Sequence, residues 1–221
     1  MRRWGTAALV FALLAATAVA FATTERQKLE ASPFAVLHVT KDFSPLHRAA
    51  TIVLRLHHPH LLTVEILNTR DRTVGTLARD ERYERGTIKF RWVARAAADG
   101  VYTPRVTLDQ SRVFTLPDHI HVDTVAPRIT LAAYRPRVVR RRRKPLIHIS
   151  YTVSEPAHAI LYVDGQREVV GFPKAIHAHI EWYATRAGRR LRPGRYRLQL
   201  AAVDLAGNRG RRTRPFVVRI R

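Results

Sequence analysis

From Phe34 to the C-terminus the sequence falls into short runs rich in β-forming residues, broken by turn residues, with no helical segments between them. That pattern constrains the fold more than any other feature. Runs of this kind, recurring every ~8–12 residues, point to antiparallel strands in a sandwich or barrel. Strands are expected at Phe34–Thr40, Ala50–Leu56, Leu61–Leu67, Thr73–Ala78, Thr87–Val93, Val101–Leu108 and Arg112–Leu116. Alternation is clearest in Leu62-Thr63-Val64-Glu65-Ile66 and in Ile88-Lys89-Phe90-Arg91-Trp92, where apolar and polar residues take turns. A half-buried strand has that period. Asn68-Thr69-Arg70-Asp71 and Asp99-Gly100 supply turns.

The pattern then restarts. His119–Pro127 is polar and punctuated by proline, and reads as a connection. Further strands are expected at Arg128–Tyr134, Leu146–Val153, His158–Val163, Arg167–Phe172, Ala175–Tyr183, Arg195–Val203 and Pro215–Arg221. Two halves of ~90 residues suit the size of an immunoglobulin-like sandwich. The halves also repeat each other. Phe90-Arg91-Trp92 followed by Asp99-Gly100-Val101-Tyr102 parallels Ile180-Glu181-Trp182 followed by Pro193-Gly194-Arg195-Tyr196. Self-similarity of this kind marks a repeated module. Trp92, Tyr102, Trp182 and Tyr196 are expected to fill cores, and Gly100 and Gly194 to serve turns at positive φ.

The N-terminus differs from the rest. Arg2 and Arg3 precede an apolar run from Trp4 to Ala22, which Glu25, Arg26 and Lys28 close. Positive charges before such a run hold the N-terminus inside and send the remainder across a membrane. The run has the length of a spanning helix, so an uncleaved anchor is expected. Ala18-Val19-Ala20 and Ala20-Phe21-Ala22 also fit small-x-small cleavage, so the alternative is a secreted chain with its signal removed. The expected architecture is therefore all-β: two tandem immunoglobulin-like β-sandwiches preceded by one N-terminal hydrophobic helix. The helix covers residues 1–30, the first sandwich 34–121, the linker 122–127 and the second sandwich 128–221.

Val64-Glu65-Ile66 through Trp92 to Asp99-Gly100-Val101-Tyr102 resembles the immunoglobulin-like domain of the flagellar hook-capping protein FlgD. So does the second half, through Leu161-Tyr162-Val163-Asp164-Gly165, Trp182, Gly194-Arg195-Tyr196 and Ala202-Val203-Asp204-Leu205-Ala206-Gly207-Asn208. The junction Val122-Asp123-Thr124-Val125-Ala126-Pro127 resembles connectors between bacterial immunoglobulin-like repeats. The resemblance covers most of residues 34–221. It implies a non-enzymatic module of bacterial envelope and secreted proteins, and it names no activity. There are departures. Where the family often has Trp-Asp-Gly, Trp92 is followed by Val93-Ala94 and Trp182 by Tyr183-Ala184. Where the family's loop is often Gly- and Asp-rich, this chain has Arg140-Arg141-Arg142-Arg143-Lys144.

That basic run is the candidate site. Net charge is +22, which makes anionic partners plausible. Yet lysine occurs only at Lys28, Lys41, Lys89, Lys144 and Lys174, so the excess is nearly all Arg and also fits a compositional bias. Arg140, Arg141, Arg142, Arg143 and Lys144, extended by Arg135 and Arg137, could grip phosphates of acidic lipid or wall polymer. The competing reading is a solvated loop. No nucleic-acid partner is expected, because stacking aromatics are not interleaved and export removes the chain from the genome.

No cysteine is present, so neither disulfides nor thiolate metal sites contribute. No cofactor, metal or catalytic residue is expected. His57-His58-Pro59-His60 reads as a solvated loop, with no carboxylate nearby in the sequence before Glu65. His177, His179 and Glu181 share one strand face, which has metal-like spacing but equally suits outward polar positions. They would be the residues of a metal-dependent hydrolase, the third-ranked reading. Asp204 and Asn208 flank Leu205-Ala206-Gly207, but the neighbouring sequence offers too few oxygens for Ca²⁺ and reads as a turn. The leading expectation is a structural or binding protein of the bacterial cell envelope. It would sit in the membrane as a single-pass protein with its sandwiches extracytoplasmic, bound to an envelope protein or polymer. The alternative is a polyanion-binding accessory protein.

Overall fold

The short alternating runs pair into strands that bury their apolar sides and show their polar sides to water. The structure is a computed structural model that describes residues 32–95, 97–140, 145–171 and 175–221. The expected N-terminal helix and Arg141–Lys144 lie outside the described residues. The strands of the first half are β1 (Phe34–Val39), β2 (Asp42–Phe43), β3 (Ala50–Leu56), β4 (His60–Leu67), β5 (Thr73–Tyr83), β6 (Gly86–Trp92), β7 (Gly100–Leu108), β8 (Arg112–Thr115) and β9 (Ile120–Val122). One sheet has the order β1-β3-β6. The other has the order β2-β9-β7-β4-β5, with β8 also paired to β7. Their inner faces share one core, which includes Ile52, Leu54, Leu62, Ile66, Trp92 and Leu108.

In the second half the strands are β10 (Ile129–Arg135), β11 (Val138–Val139), β12 (Ile147–Val153), β13 (Ala157–Val163), β14 (Gln166–Val170), β15 (His177–Trp182), β16 (Thr185–Arg186), β17 (Arg189–Arg190), β18 (Gly194–Asp204) and β19 (Phe216–Ile220). The sheets run β10-β12-β15 and β11-β19-β18-β13-β14, with a small β16-β17 hairpin aside. They enclose a separate core, which includes Ile147, Ile149, Tyr151, Leu161, Trp182 and Leu200.

The two halves thus repeat one topology. In each, a three-stranded sheet faces a larger one, and a short early strand lies parallel to the last strand: β2 with β9 and β11 with β19. In each, the first strand slips register against its partner, between Val36 and His38 and between Leu131 and Ala133. Two packed, mainly antiparallel sheets with these connections make an immunoglobulin-like fold. All regular structure among the described residues is strand.

The matched Trp and Tyr residues explain the repetition physically. Trp92 and Trp182 are buried at the ends of β6 and β15. Tyr102 donates its hydroxyl to the Ala98 carbonyl at 2.7 Å, and Tyr196 to the Arg192 carbonyl at 2.8 Å. Tyr102 is buried and Tyr196 partly buried; each ring packs onto its core while its polar tip closes the loop that enters the strand.

Several expectations need correction. Gly100 has a φ of 153°, but Gly194 is not at positive φ, and a Cβ there would meet only the Tyr196 ring at 3.6 Å. The stretch His119–Pro127 is not all connection: Ile120–Val122 pairs with β7, and Ile120 is fully buried. Three residues are too few to show a period against polar neighbours. Strand β5 runs past Ala78 to Tyr83. Its later half carries Arg79, Asp80, Glu81 and Arg82 at a sheet edge, where charges and bulged pairing discourage a further strand from adding. Ile176, inside the expected strand Ala175–Tyr183, is 46% exposed and precedes β15.

Candidate functional site

The basic loop follows β11. Arg135, Arg137 and Arg140 are all exposed, and the Arg137 guanidinium lies over the Tyr134 ring at 5.2 Å. These residues form the described part of a positive edge.

The histidines separate. His57 bonds through Nδ1 to the Ser32 carbonyl at 2.8 Å, whereas His60 Nδ1 contacts Asp109 Oδ2 at 2.8 Å. His60 opens β4 rather than lying in the expected loop, and the β7–β8 turn brings it a carboxylate distant in sequence, Asp109. This carboxyl is held below its usual range, first by the Leu61 N–H and then by His60. On β15, His177, His179 and Glu181 all point outward. Glu181 Oε1 lies 3.7 Å from His148 Nδ1 on the neighbouring β12, and the His148 and His179 rings are 6.3 Å apart. An exposed sheet face explains the row.

The junction between the sandwiches holds a group that the sequence reading missed. Asp123 directly follows β9, Glu155 lies in the β12–β13 turn and Asp204 closes β18. One carboxylate oxygen from each lies within 4.8 Å of the others. Asp204 is 6% exposed. Its Oδ1 accepts the Gly207 N–H at 2.7 Å and the Asn208 N–H at 2.9 Å, so the expected Asp–Asn turn is present. The Asn208 amide Nδ2 then donates to Asp204 Oδ2 at 2.8 Å and across the junction to the Asp123 carbonyl at 2.9 Å. Glu155 has its pKa raised by burial and by the facing Asp123 and Asp204 charges, while a hydrogen bond from Ser154 acts the other way.

The same junction is braced by direct bonds. The Ser44 N–H donates to the Ala206 carbonyl at 3.2 Å. Arg48 Nη2 reaches the Asp42 carbonyl at 2.6 Å and the Leu205 carbonyl at 3.1 Å, tying the β2–β3 loop to the turn after β18. Asp99 accepts both the backbone N–H and the hydroxyl of Thr124, each at 3.0 Å. Gly210 lies so near the Pro127 carbonyl oxygen that a Cβ there would overlap it. The connecting residues are thus packed against both halves.

No protein-family model and no curated protein matches the sequence. Among solved structures, the chain is similar to the fibronectin(III)-like modules of Clostridium thermocellum CbhA, at 18% identity over 85% of this chain and 92% of that one, with a TM-score of 0.45. It is similar to DIP-gamma IG1+IG2 at 15% identity over 86% and 97%, with a TM-score of 0.30. It also matches the BSP domain of a biofilm associated protein at 15% identity over 85% of this chain, with a TM-score of 0.29, and spans 30% of that chain. Likeness at these levels assigns no activity, and the fold stands on its own strand order and cores.

Proposed function

We propose that the chain is a non-enzymatic structural or binding protein of the bacterial cell envelope, which presents two immunoglobulin-like sandwiches as one stiff unit. The observation that carries this reading is the braced junction, where Ser44, Arg48 and Asn208 make bonds between the halves or onto the connection. Such contacts suit a spacer that holds a surface at a fixed distance. They contribute nothing to bond chemistry. Placement outside the membrane rests on the sequence alone, through Arg2, Arg3 and the apolar run to Ala22. The FlgD-type resemblance supports the same class.

Crosslinking in intact envelopes, followed by recovery of the chain, tests the reading. The expected result is one reproducible envelope protein or polymer partner, with the sandwiches accessible to protease from outside. Protection of the sandwiches in intact cells would overturn the location, and a covalent product turned over by the purified chain would overturn the non-enzymatic role. The alternative is polyanion binding at Arg140–Lys144. One observation favours it: Arg135, Arg137 and Arg140 are exposed along one stretch. Replacing Arg140 to Arg143 with Ser should then weaken binding to anionic vesicles at low salt. The difference should vanish as screening shortens the reach of charge to below ~10 Å.

A further inference from the structure

In a chain with 39 Lys and Arg against 17 Asp and Glu, an acidic side chain has basic partners in excess. At the junction, three carboxylates instead face one another: Asp123, Glu155 and Asp204. Of the groups that shift Glu155, only Ser154 favours its charged form. A second observation lies on Asn208. Its side chain is 2% exposed, and its Oδ1 is buried without a hydrogen-bond partner. The Nδ2 of the same amide is bonded to the Asp204 carboxylate and to the carbonyls of Asp123 and Val125, so the orphaned oxygen lies within one amide's width of a nitrogen that touches this group. A buried amide oxygen left unpaired costs free energy unless a donor or a cation satisfies it.

We propose that Asp123, Glu155 and Asp204, with Asn208 Oδ1, form a Ca²⁺ site that locks the two sandwiches together. The donors are all oxygen, with no imidazole or thiolate among them, which selects a hard divalent cation. They come from three separate segments, and Ca²⁺ tolerates the irregular shell of ~6–8 oxygens that such a set provides, whereas Mg²⁺ demands a near-ideal octahedron. Water and nearby carbonyls complete the shell. The segments are the connection, a turn of the second sandwich and the end of β18, so one ion ties the joint at each of them. The cation also removes the mutual repulsion of the carboxylates and gives the Asn208 oxygen a partner. The inference holds whether or not the chain is an envelope protein.

The test uses the full chain, stripped with EDTA, and CaCl₂ as the probe. Calorimetric titration and thermal unfolding are run on the parent, on Glu155→Gln and on Asp123→Asn. The parent is expected to bind Ca²⁺ with a Kd on the order of 10⁻⁴–10⁻³ M, the range of extracellular modules, and to melt higher as Ca²⁺ rises. Each variant should bind about tenfold more weakly or worse, since affinity follows ligand charge. Without metal, Glu155→Gln should melt no lower than the parent, because it relieves repulsion; this separates loss of a ligand from loss of fold. Three results would overturn the proposal: no heat and no thermal shift in the parent up to about 10 mM Ca²⁺, an undiminished Ca²⁺ response in both variants, or a response to MgCl₂ with none to CaCl₂.

Discussion

The two sandwiches share a strand order but cover the outer face of their larger sheet by different chemistry. Five residues after Gly100, Arg105 sits opposite Glu65; five residues after Gly194, Gln199 sits opposite Tyr162. In the first sandwich, Arg105 Nη2 reaches Glu65 Oε2 at 2.7 Å and Thr73 adds a hydroxyl bond to Oε1. The neighbouring cross-strand pair is Thr63 with Thr107. The second sandwich has Ile160 opposite Ala201 in that place, and these residues are buried with Tyr162 in a small outer cluster. The Arg212 guanidinium lies over the Tyr162 ring at 3.7 Å. One sheet therefore stays wet and pairs its charges. The other buries a small apolar cluster on its outer face and borrows an arginine as a lid. What repeats is the inner face, which the shared core dictates; the outer face varies with what lies over it.

The largest expected effects fall where the halves agree. Trp92→Ala and Trp182→Ala should each cost about 3–5 kcal/mol, the range for deleting a buried aromatic. Calorimetry should show each variant lowering mainly its own sandwich's transition. A loss under about 1 kcal/mol would mean that the ring does not hold a core.

A smaller effect sits where they differ. Arg212→Ala should destabilise the second sandwich by about 0.5–2 kcal/mol, through the lost ring contact and the uncovered Tyr162. Urea unfolding monitored in that half measures it. An unchanged midpoint would show that Tyr162 needs no lid.

The smallest expected effect belongs to the first sandwich and depends on pH. The Arg105 guanidinium beside Glu65 holds this carboxyl below its usual value of 4.5, while burial acts the other way. A lowered folded-state pKa stabilises above the unfolded value, and that stabilisation is lost as pH falls through the folded value. The pair is partly exposed, so the contribution is modest. Acid unfolding of the parent and of Glu65→Gln should differ most above pH 4.5, and the difference should shrink below it and close once pH has fallen past the lowered folded value. A constant offset across acid pH would place the effect in packing.

The sequence disclosed the strands that alternate and hid those that do not. Ala50–Leu56 is found as expected because it carries a full period. Asp42–Phe43 and Val138–Val139 are two residues long, too short for any period, and only their parallel partners define them. The repeated Trp, Gly and Tyr order was legible because a core needs large side chains at fixed places. The carboxylate group was not. Asp204 and Asn208 were visible as a turn, but Asp123 and Glu155 come from the connection and from another strand pair. Only folding brings them within reach, and spacing along the chain carries no trace of it. The outward row His177, His179 and Glu181 shows the converse: good spacing on a strand, with an open face around it.

In each sandwich the short early strand that lies parallel to the last strand bears on mechanical load. In the first sandwich the His121 and Asp123 N–H groups donate to the Lys41 and Phe43 carbonyls; in the second, Arg219 and Arg221 donate to Arg137 and Val139. Tension applied through the two ends of a sandwich pulls such a pair along its length in opposite directions. Bonds across it are then loaded in shear and must fail together, whereas a hairpin pulled from its open end unzips one bond at a time. Each sandwich thus carries a small clamp where force would enter and leave, placed in series along the chain.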